Sequence, residues 1–422
     1  MQTEIQALER NGTWELCSLP KGKKAMGCKW VYKVKLKSDG TVEKLKARLV
    51  AKGYTQIFGI DFDEIFSPVV KMATIRCLLA LTASKGWSLH QLDINNAFLH
   101  GDLHEEIYMK MPEGMPNPYN LVCKLKKSLY GLKQASRQWF ARLTLELEKL
   151  GFKKSLNDYS LFLKQNDPDI IILAVYVDDI VVTGTNNEAI LALKTHLHSV
   201  FSIKDLGILH YFLGIEVVHL PQGIILTQRK FYKELISESG FDVSKVAKTP
   251  LPQKLKLLAD QGDFCSNPTL YRKMVGKLNF LTHTRPDLSF AVQCLSQFMH
   301  QPRIQHMQAL HHVLRYVAYT LGQGILLQAT TQLTLKAYSD SYWGSYPNSR
   351  RSVTGYIMLL GNSPISWKSK KQGTVSMSSA EAEYRAMAAA STEVTWLVRL
   401  LTELGIVDLK PVKLSCDNQS TI

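Results

Sequence analysis

Apolar residues along the chain follow two periods, and the switch between them marks out the elements. Lys29, Lys33, Lys35 and Lys37 alternate with Trp30, Tyr32, Val34 and Leu36. After Ser38-Asp39-Gly40 the alternation resumes, with Lys44, Lys46 and Arg48 against Leu45, Ala47 and Leu49. A period of two on both sides of a Gly-containing turn predicts a β-hairpin with one apolar and one cationic face. Ile75, Leu78, Leu79 and Thr82 recur at helical spacing, so Met72 to Ala83 reads as a helix stopped at Gly86. Ser88 to Ile94 reads as a strand running into an aspartate. Trp139, Leu143, Leu147 and Leu150 predict a helix from about Gln134 to Leu150, with Gly151 behind it. An apolar strand from Ile170 to Val177 meets two aspartates and a second apolar stretch, Ile180 to Val182, before Asn186-Asn187-Glu188 opens another helix.

Further on, the polar stretch from Lys254 to Pro268 reads as a linker, and residues 269–320 as helical apart from a break at Thr284-Arg285-Pro286-Asp287. Short strands are expected from Gly324 to about Ser369. A long helix from Ser379 to Leu404 then precedes a strand ending at Cys416-Asp417. Strands and helices mix without strict alternation, which predicts an α+β fold.

Composition narrows the class. The 422 residues suggest about three domains, and a hydrophobic fraction of 45% excludes wholesale disorder. The longest unbroken apolar run, Ile170 to Val177, falls far short of the ~18 residues of a membrane span, and no secretory signal pattern opens the chain. The seven cysteines form no C-x-x-C pair, which argues against a disulfide scaffold and a zinc site. An intracellular protein with no membrane partner is expected. The net charge of +15 makes a polyanion the natural partner. Eleven Lys or Arg but only Asp39 and Glu43 lie between Lys21 and Lys52. Most such runs are solvated faces, but like charges repeated across a hairpin repel, and phosphates would neutralise them.

Candidate chemistry lies in the acids. In Tyr176-Val177-Asp178-Asp179 two carboxylates interrupt an apolar strand pair. A hairpin turn is the bland explanation, but the acids sit between β-branched residues instead of Gly, Asn or Pro. A hard divalent cation would offset their burial. Asp93, in Gln91-Leu92-Asp93, ends another strand, and two strand-borne carboxylates converging on two metals make a phosphoryl-transfer site. A second set lies further on: Asp340 ends an apolar-alternating strand, Asp417 ends the last strand, and Glu383 shares a helix stripe with Met387, Ala390 and Val394. An acid on a buried stripe is unusual unless paired or metal-bound. Its neighbour Glu381 reads as a helix-end charge.

These segments resemble the reverse transcriptase of copia-type retrotransposon polyproteins from end to end. The carrying motifs are Lys29-Trp30-Val31-Tyr32-Lys33, Lys46-Ala47-Arg48-Leu49-Val50-Ala51-Lys52-Gly53, Gln91-Leu92-Asp93 with Asn96-Ala97-Phe98-Leu99, and Ser128-Leu129-Tyr130-Gly131-Leu132-Lys133-Gln134. Tyr176-Val177-Asp178-Asp179, Lys204-Asp205-Leu206-Gly207 with Tyr211-Phe212-Leu213-Gly214, and Thr284-Arg285-Pro286-Asp287 complete the set. The resemblance implies a right-hand polymerase of fingers, palm and thumb over residues 11–253. A linker and helical connection would occupy 254–330, and a ribonuclease H-like α/β domain 331–422. It implies that Asp93, Asp178 and Asp179 hold two Mg²⁺, with Mn²⁺ as a substitute. Lys46, Arg48 and Lys52 would lie near the triphosphate, and Tyr130, Gly131 and Gln134 near the templating base and incoming nucleotide. Phe98 matches a steric gate against the ribose 2′-hydroxyl, though a core aromatic explains it nearly as well. Lys204 is a candidate general acid or an ordinary surface lysine. Thr284-Arg285-Pro286-Asp287 would serve structure, Pro ending one helix and Asp capping the next.

Ser339-Asp340, Ser378-Ser379-Ala380-Glu381-Ala382-Glu383-Tyr384 and Cys416-Asp417-Asn418 resemble the ribonuclease H domain of the same polyproteins, whose two Mg²⁺ are held by four acids. Asp340, Glu383 and Asp417 supply three, so a truncated domain of doubtful activity is expected. The chain departs from many relatives at Ala135-Ser136 (Ser-Pro), Ile208 (Glu) and Tyr342 (Asp). The implied function is RNA- and DNA-directed DNA polymerisation from dNTPs on an RNA template, RNA–DNA hybrid or DNA primer–template. The implied location is the cytoplasm, in virus-like particles where the parent element is intact, and the nucleus. The alternatives are a decayed or co-opted fragment that only binds nucleic acid, and a nuclease alone.

Overall fold

A computed structural model of the chain describes residues 1–36, 41–253 and 255–419. The chain forms two compact units, one of residues 1–70 and 88–208, the other of 71–87 and 209–422.

In the first unit β1 (Cys28–Leu36) and β2 (Val42–Ala51) form the expected antiparallel hairpin, with Lys33 opposite Lys46 and Val31 opposite Arg48. Its expected turn, Ser38-Asp39-Gly40, and Lys37 lie outside the described residues. On its apolar side Leu49 is buried at the base, whereas Tyr32 and Leu45 are exposed. The remaining core elements are β3 (Ser88–Ile94), α1 (Ala135–Lys149), β4 (Leu161–Asn166), β5 (Asp169–Tyr176), β6 (Asp179–Gly184), α2 (Asn187–Phe201) and β7 (Ile203–Ile208). They build an antiparallel sheet in the order β7-β3-β6-β5-β4, extended by the short strand Lys153–Lys154. Alternate residues of the central strands, Leu173 and Val175, Ile180 and Val182, Leu92 and Ile94, share a core with Trp139, Leu143 and Leu147 of α1 and Leu193, Leu197 and Phe201 of α2. Each such side chain contributes about 1.5–3 kcal/mol on burial. The start of α2 is set by Asn186, whose Oδ1 accepts a hydrogen bond from the Ala189 N–H at 3.0 Å. A three-stranded sheet of Trp14–Cys17, Val122–Lys127 and Asp102–Lys110 was not anticipated. Its charged strands carry no clean alternation.

In the second unit the stretch read as continuous helix is three helices, α3 (Pro268–Leu281), α4 (Ser289–Ser296) and α5 (Ile304–Tyr319). A second break, unforeseen, spans residues 297–303 and contains Pro302 and Arg303. The break at Thr284-Arg285-Pro286-Asp287 is locked by charge: buried Arg285 pairs with Asp287 at 2.7 Å and donates to Thr320 Oγ1 at 2.9 Å at the end of α5. Beyond it, β8 (Leu335–Tyr342), β9 (Val353–Leu360), β10 (Ser363–Lys371), α6 (Ser379–Glu403) and β11 (Lys413–Ser415) form a sheet in the order β10-β9-β8-β11. Only β11 runs parallel to its neighbour β8 in this sheet, and α6 begins at Ser378, whose hydroxyl accepts the Glu381 N–H at 3.1 Å. Tyr211–Phe212, Ile215–Leu220, Gly223–Thr227 and Ile325–Gln328 make a smaller sheet.

The helix Met72–Lys85, stopped by Gly86 in the left-handed region as expected, belongs to this second unit. It is buried from Thr74 to Thr82. Within it Arg76 donates to the Ile365 carbonyl at 2.7 Å and the His283 carbonyl at 3.1 Å, and stacks on Trp367 at 3.9 Å. Burial lowers its pKa to about 10, so it remains cationic at neutral pH. Arg76→Met would leave those carbonyls unsatisfied. The expected loss is about 2–4 kcal/mol of stability, read as a lower urea midpoint, with partial rescue by Arg76→Lys.

Candidate active site

The acids Asp178 and Asp179 are placed by a hairpin turn, which corrects the expectation that they interrupt a strand pair. Tyr176 and Asp179 are cross-strand partners, so Val177 and Asp178 form a two-residue turn between β5 and β6. Val177 has φ +58°, a left-handed conformation that a β-branched residue adopts at a cost of about 1–2 kcal/mol. Two hydrogen bonds hold the turn: Trp139 Nε1 donates to the Val177 carbonyl at 2.7 Å, and the Ile94 N–H donates to the Asp178 carbonyl at 3.0 Å. The Trp139 ring is itself fixed edge-on against Phe201, with centroids 5.0 Å apart.

Pairing of β3 with β6 places Asp93 directly opposite Asp179. On its other side Asp93 faces exposed Lys204 of β7. In the Lys204-Asp205-Leu206-Gly207 motif, Asp205 accepts from the Gly207 N–H at 2.9 Å and from Lys194 at 3.0 Å. Burial raises the Asp178 carboxyl pKa, and the charge of Asp93 raises it further, while Arg48 pulls it down. Asp179 is likewise raised by burial and then by Asp178 and Asp93, against a hydrogen bond from Gln91 Nε2 at 3.3 Å. Among the described residues no ion pair neutralises any of the three. Half-buried, all-oxygen and short of positive partners, this set has the donor chemistry of a hard divalent cation site, but its carboxylate oxygens are not gathered within 4.8 Å of one another.

A wall of cations and rings stands beside it. The Arg48 guanidinium lies over the Tyr130 ring at 4.4 Å, and Phe98 meets Tyr130 edge-on at 5.1 Å. Buried Arg48 Nε has no hydrogen-bond partner, the kind of orphan an anionic ligand would satisfy. Burial and the charges of Asp178 and Asp93 raise the Tyr130 phenol pKa, against Arg48. Lys46 shares the cationic face of β2 with Arg48, and Lys52 follows that strand. The wall is closed by glycine: the Ala51 N–H donates to the Tyr130 carbonyl at 2.7 Å, and a Cβ on Gly131 (φ +93°) would lie 2.2 Å from the Ala51 oxygen. Gln134 is fully buried. Its Oε1 accepts from Gln56 Nε2 at 3.0 Å and its Nε2 donates to the Asp61 carbonyl at 3.0 Å, so its side chain ties the segment after Gly53 to the wall. Sequence reasoning singled out neither Gln56 nor the clamp made by Trp139. Gln91, a buried polar residue two positions before Asp93, carried a signal that was legible.

The second acid set is only partly assembled. Glu383 is buried in α6 and accepts the Ser341 N–H at 3.1 Å. Ligand atoms of Glu383, Cys416 and Asp417 lie within 4.8 Å of one another. Asp340 lies within β8 and not at its end, is exposed, and stands outside that group. Its charge still raises the Glu383 pKa, second to burial. Asp417 falls beyond β11, which ends at Ser415, not at Cys416-Asp417.

Comparison with known proteins gives a consistent result. The family described as reverse transcriptase (RNA-dependent DNA polymerase) matches residues 11–253. The chain is 45% identical over 421 residues to the retrovirus-related Pol polyprotein from transposon RE1 of Arabidopsis thaliana, covering 99% of this chain and 29% of that one. It is 40% identical over 436 residues to the corresponding polyprotein from transposon TNT 1-94 of Nicotiana tabacum, covering 100% of this chain and 32% of the relative. The chain thus spans about a third or less of these relatives. In fold it is similar to a foamy viral protease-reverse transcriptase solved in complex with RNA/DNA hybrid, with TM-score 0.54 and 13% identity. That likeness covers 99% of this chain and 53% of the other.

Because folding raises the pKa of Asp178 and Asp179 above the ordinary 3.8, the folded state binds more protons than the unfolded state just above that value. Their contribution to stability is therefore lost as pH rises through the raised pKa. In chelator at neutral pH, Asp178→Asn combined with Asp179→Asn should raise the melting temperature and flatten its fall as pH rises above the ordinary carboxylate range. Added Mg²⁺ should stabilise wild type more than the variant.

Proposed function

As the chain belongs to the reverse transcriptase family, within the copia-type Pol polyproteins, we propose that it is an RNA- and DNA-directed DNA polymerase acting through Asp93, Asp178 and Asp179. The carrying observation is the Val177-Asp178 turn held beside Asp93 across paired strands. Its substrates would be dNTPs on an RNA template, RNA–DNA hybrid or DNA primer–template. Mg²⁺, or Mn²⁺ in its place, would be held by the three aspartates and would supply a lowered pKa for the primer 3′-hydroxyl and charge neutralisation at the leaving pyrophosphate.

The chain's own groups orient the reactants. Arg48, with Lys46 and Lys52, pairs with the triphosphate and satisfies the orphaned Arg48 Nε. Phe98, braced edge-on by Tyr130, stands where a sugar bearing a 2′-hydroxyl would clash, which selects dNTPs. Tyr130 presents one ring face to Arg48 and makes an edge-type contact with Phe98, and Gly131 lets the backbone approach closely. Gln134 acts through Gln56 as a positioning residue. Trp139 holds the strained turn so that Asp178 needs no reorganisation when reactants arrive.

The test is primer extension on an RNA template. Asp178→Asn should reduce the rate by about 10²–10³-fold or more. Phe98→Ala should keep extension with dNTPs and raise ribonucleotide use by about tenfold or more. Extension that survives Asp178→Asn would overturn the assignment, and a wild-type chain that binds template without extending it would favour the binder.

A second reading is favoured by buried Glu383 beside Asp417: ribonuclease H-like hydrolysis of the RNA strand of a hybrid. Weak cutting of an RNA–DNA hybrid is expected, lost in Glu383→Gln and untouched by Asp178→Asn. No cutting by wild type refutes it.

A further inference from the structure

We propose that an aromatic groove on the second unit binds single-stranded nucleic acid by stacking its bases. Two adjoining cavities, about 470 Å³ and about 500 Å³, share Phe290 of α4 and Tyr342 at the end of β8. Their rings meet at 6.2 Å, and they are 39% and 61% exposed. Trp343, also exposed, extends the first cavity, and Tyr338 extends the second. Four large rings left open along one continuous groove are a costly surface unless something covers them.

The rim indicates what covers them. Lys256 and Arg350 line one cavity and Lys368 the other, and among the described residues none of these cations has an ion pair. Among the described residues Asp340 is the only acid lining either cavity. A purely apolar partner segment would leave three cations unmatched, whereas a strand of bases and phosphates matches both rings and rim. The floor is rigid. Trp343 Nε1 donates to the Ser376 carbonyl at 3.1 Å, and the Tyr346 hydroxyl bonds to Gln293. Little side-chain entropy is therefore lost when bases dock. The groove runs past Asp340 but uses none of the atoms that bring Glu383 and Asp417 together, and it does not rest on the polymerase reading.

The experiment uses the full chain in chelator with an oligouridine of about 12 nucleotides, within the usual site sizes for single strands, carrying 4-thiouridine. Photocrosslinks are expected in the peptides containing Phe290 and Tyr342-Trp343. By fluorescence anisotropy, Phe290→Ala combined with Tyr342→Ala should weaken binding about tenfold or more, the loss of roughly one stacked base. Tyr342→Phe should retain wild-type affinity, and primer extension should be unchanged in both variants. Crosslinks confined to residues 1–208, with unchanged affinity in the double variant, overturn the proposal. So does loss of self-association in the double variant with RNA affinity intact, which would assign the groove to a second copy. If wild type crosslinks here but extends no primer, the polymerase reading fails and the groove stands.

Discussion

Three like charges held together against their own repulsion are the constraint on which the first unit depends. Asp93 and Asp179 are opposite one another across β3 and β6, and Asp178 sits in the adjoining turn. Nothing local favours that arrangement: the carboxylates repel, burial desolvates them, and Val177 is forced to a positive φ. The offset comes from the sheet behind them, where Leu92, Val175, Ile180 and Val182 bury fully against Trp139 and the α2 stripe. Trp139 joins the two sides of that balance, because one buried ring supplies both packing and the hydrogen bond that holds the strained carbonyl. Strain that a core over-determines is stable, and its persistence here marks a place where geometry matters more than local energy.

The wall facing the acids is built by close backbone approach. Gly53 and Gly131 let the end of β2 meet the Tyr130-Gly131 segment with no room for a Cβ on either. That contact sets Tyr130 between Arg48 and Phe98, so a cation and two rings are fixed relative to one another by interior ties. Buried Gln56 and Gln134 extend the same logic: their amides are spent inside the protein, and their effect on a substrate is indirect. The excess positive charge of the chain acquires a purpose in this frame, since the hairpin cations flank a site that is itself negative.

The second unit repeats the pattern of a buried ion organising its surroundings. Arg285 holds a helix break closed and Arg76 anchors a helix taken from the middle of the first unit's sequence. Removing either partner of such an interaction leaves polar groups without water or protein to satisfy them, so these arginines specify which segments pack together.

Period and motif determined much by themselves. The hairpin strands, β3, the helix stop at Gly86, α1 and the long α6 were legible because alternation and helical spacing report which face a residue must bury. The identities of Asp93, Asp178, Asp179 and Glu383 stood out as acids set in apolar patterns. Tertiary structure alone decided that Asp178 lies in a turn, because a left-handed valine contradicts local preference and exists only where Trp139 reaches it. It also decided that Gln134 faces inward, that helix Met72–Lys85 packs with residues far along the chain, and that Asp340 stands apart from Glu383 and Asp417. Sequence pattern records the local cost of burying each residue, whereas these placements are paid for by contacts between segments that no local window contains.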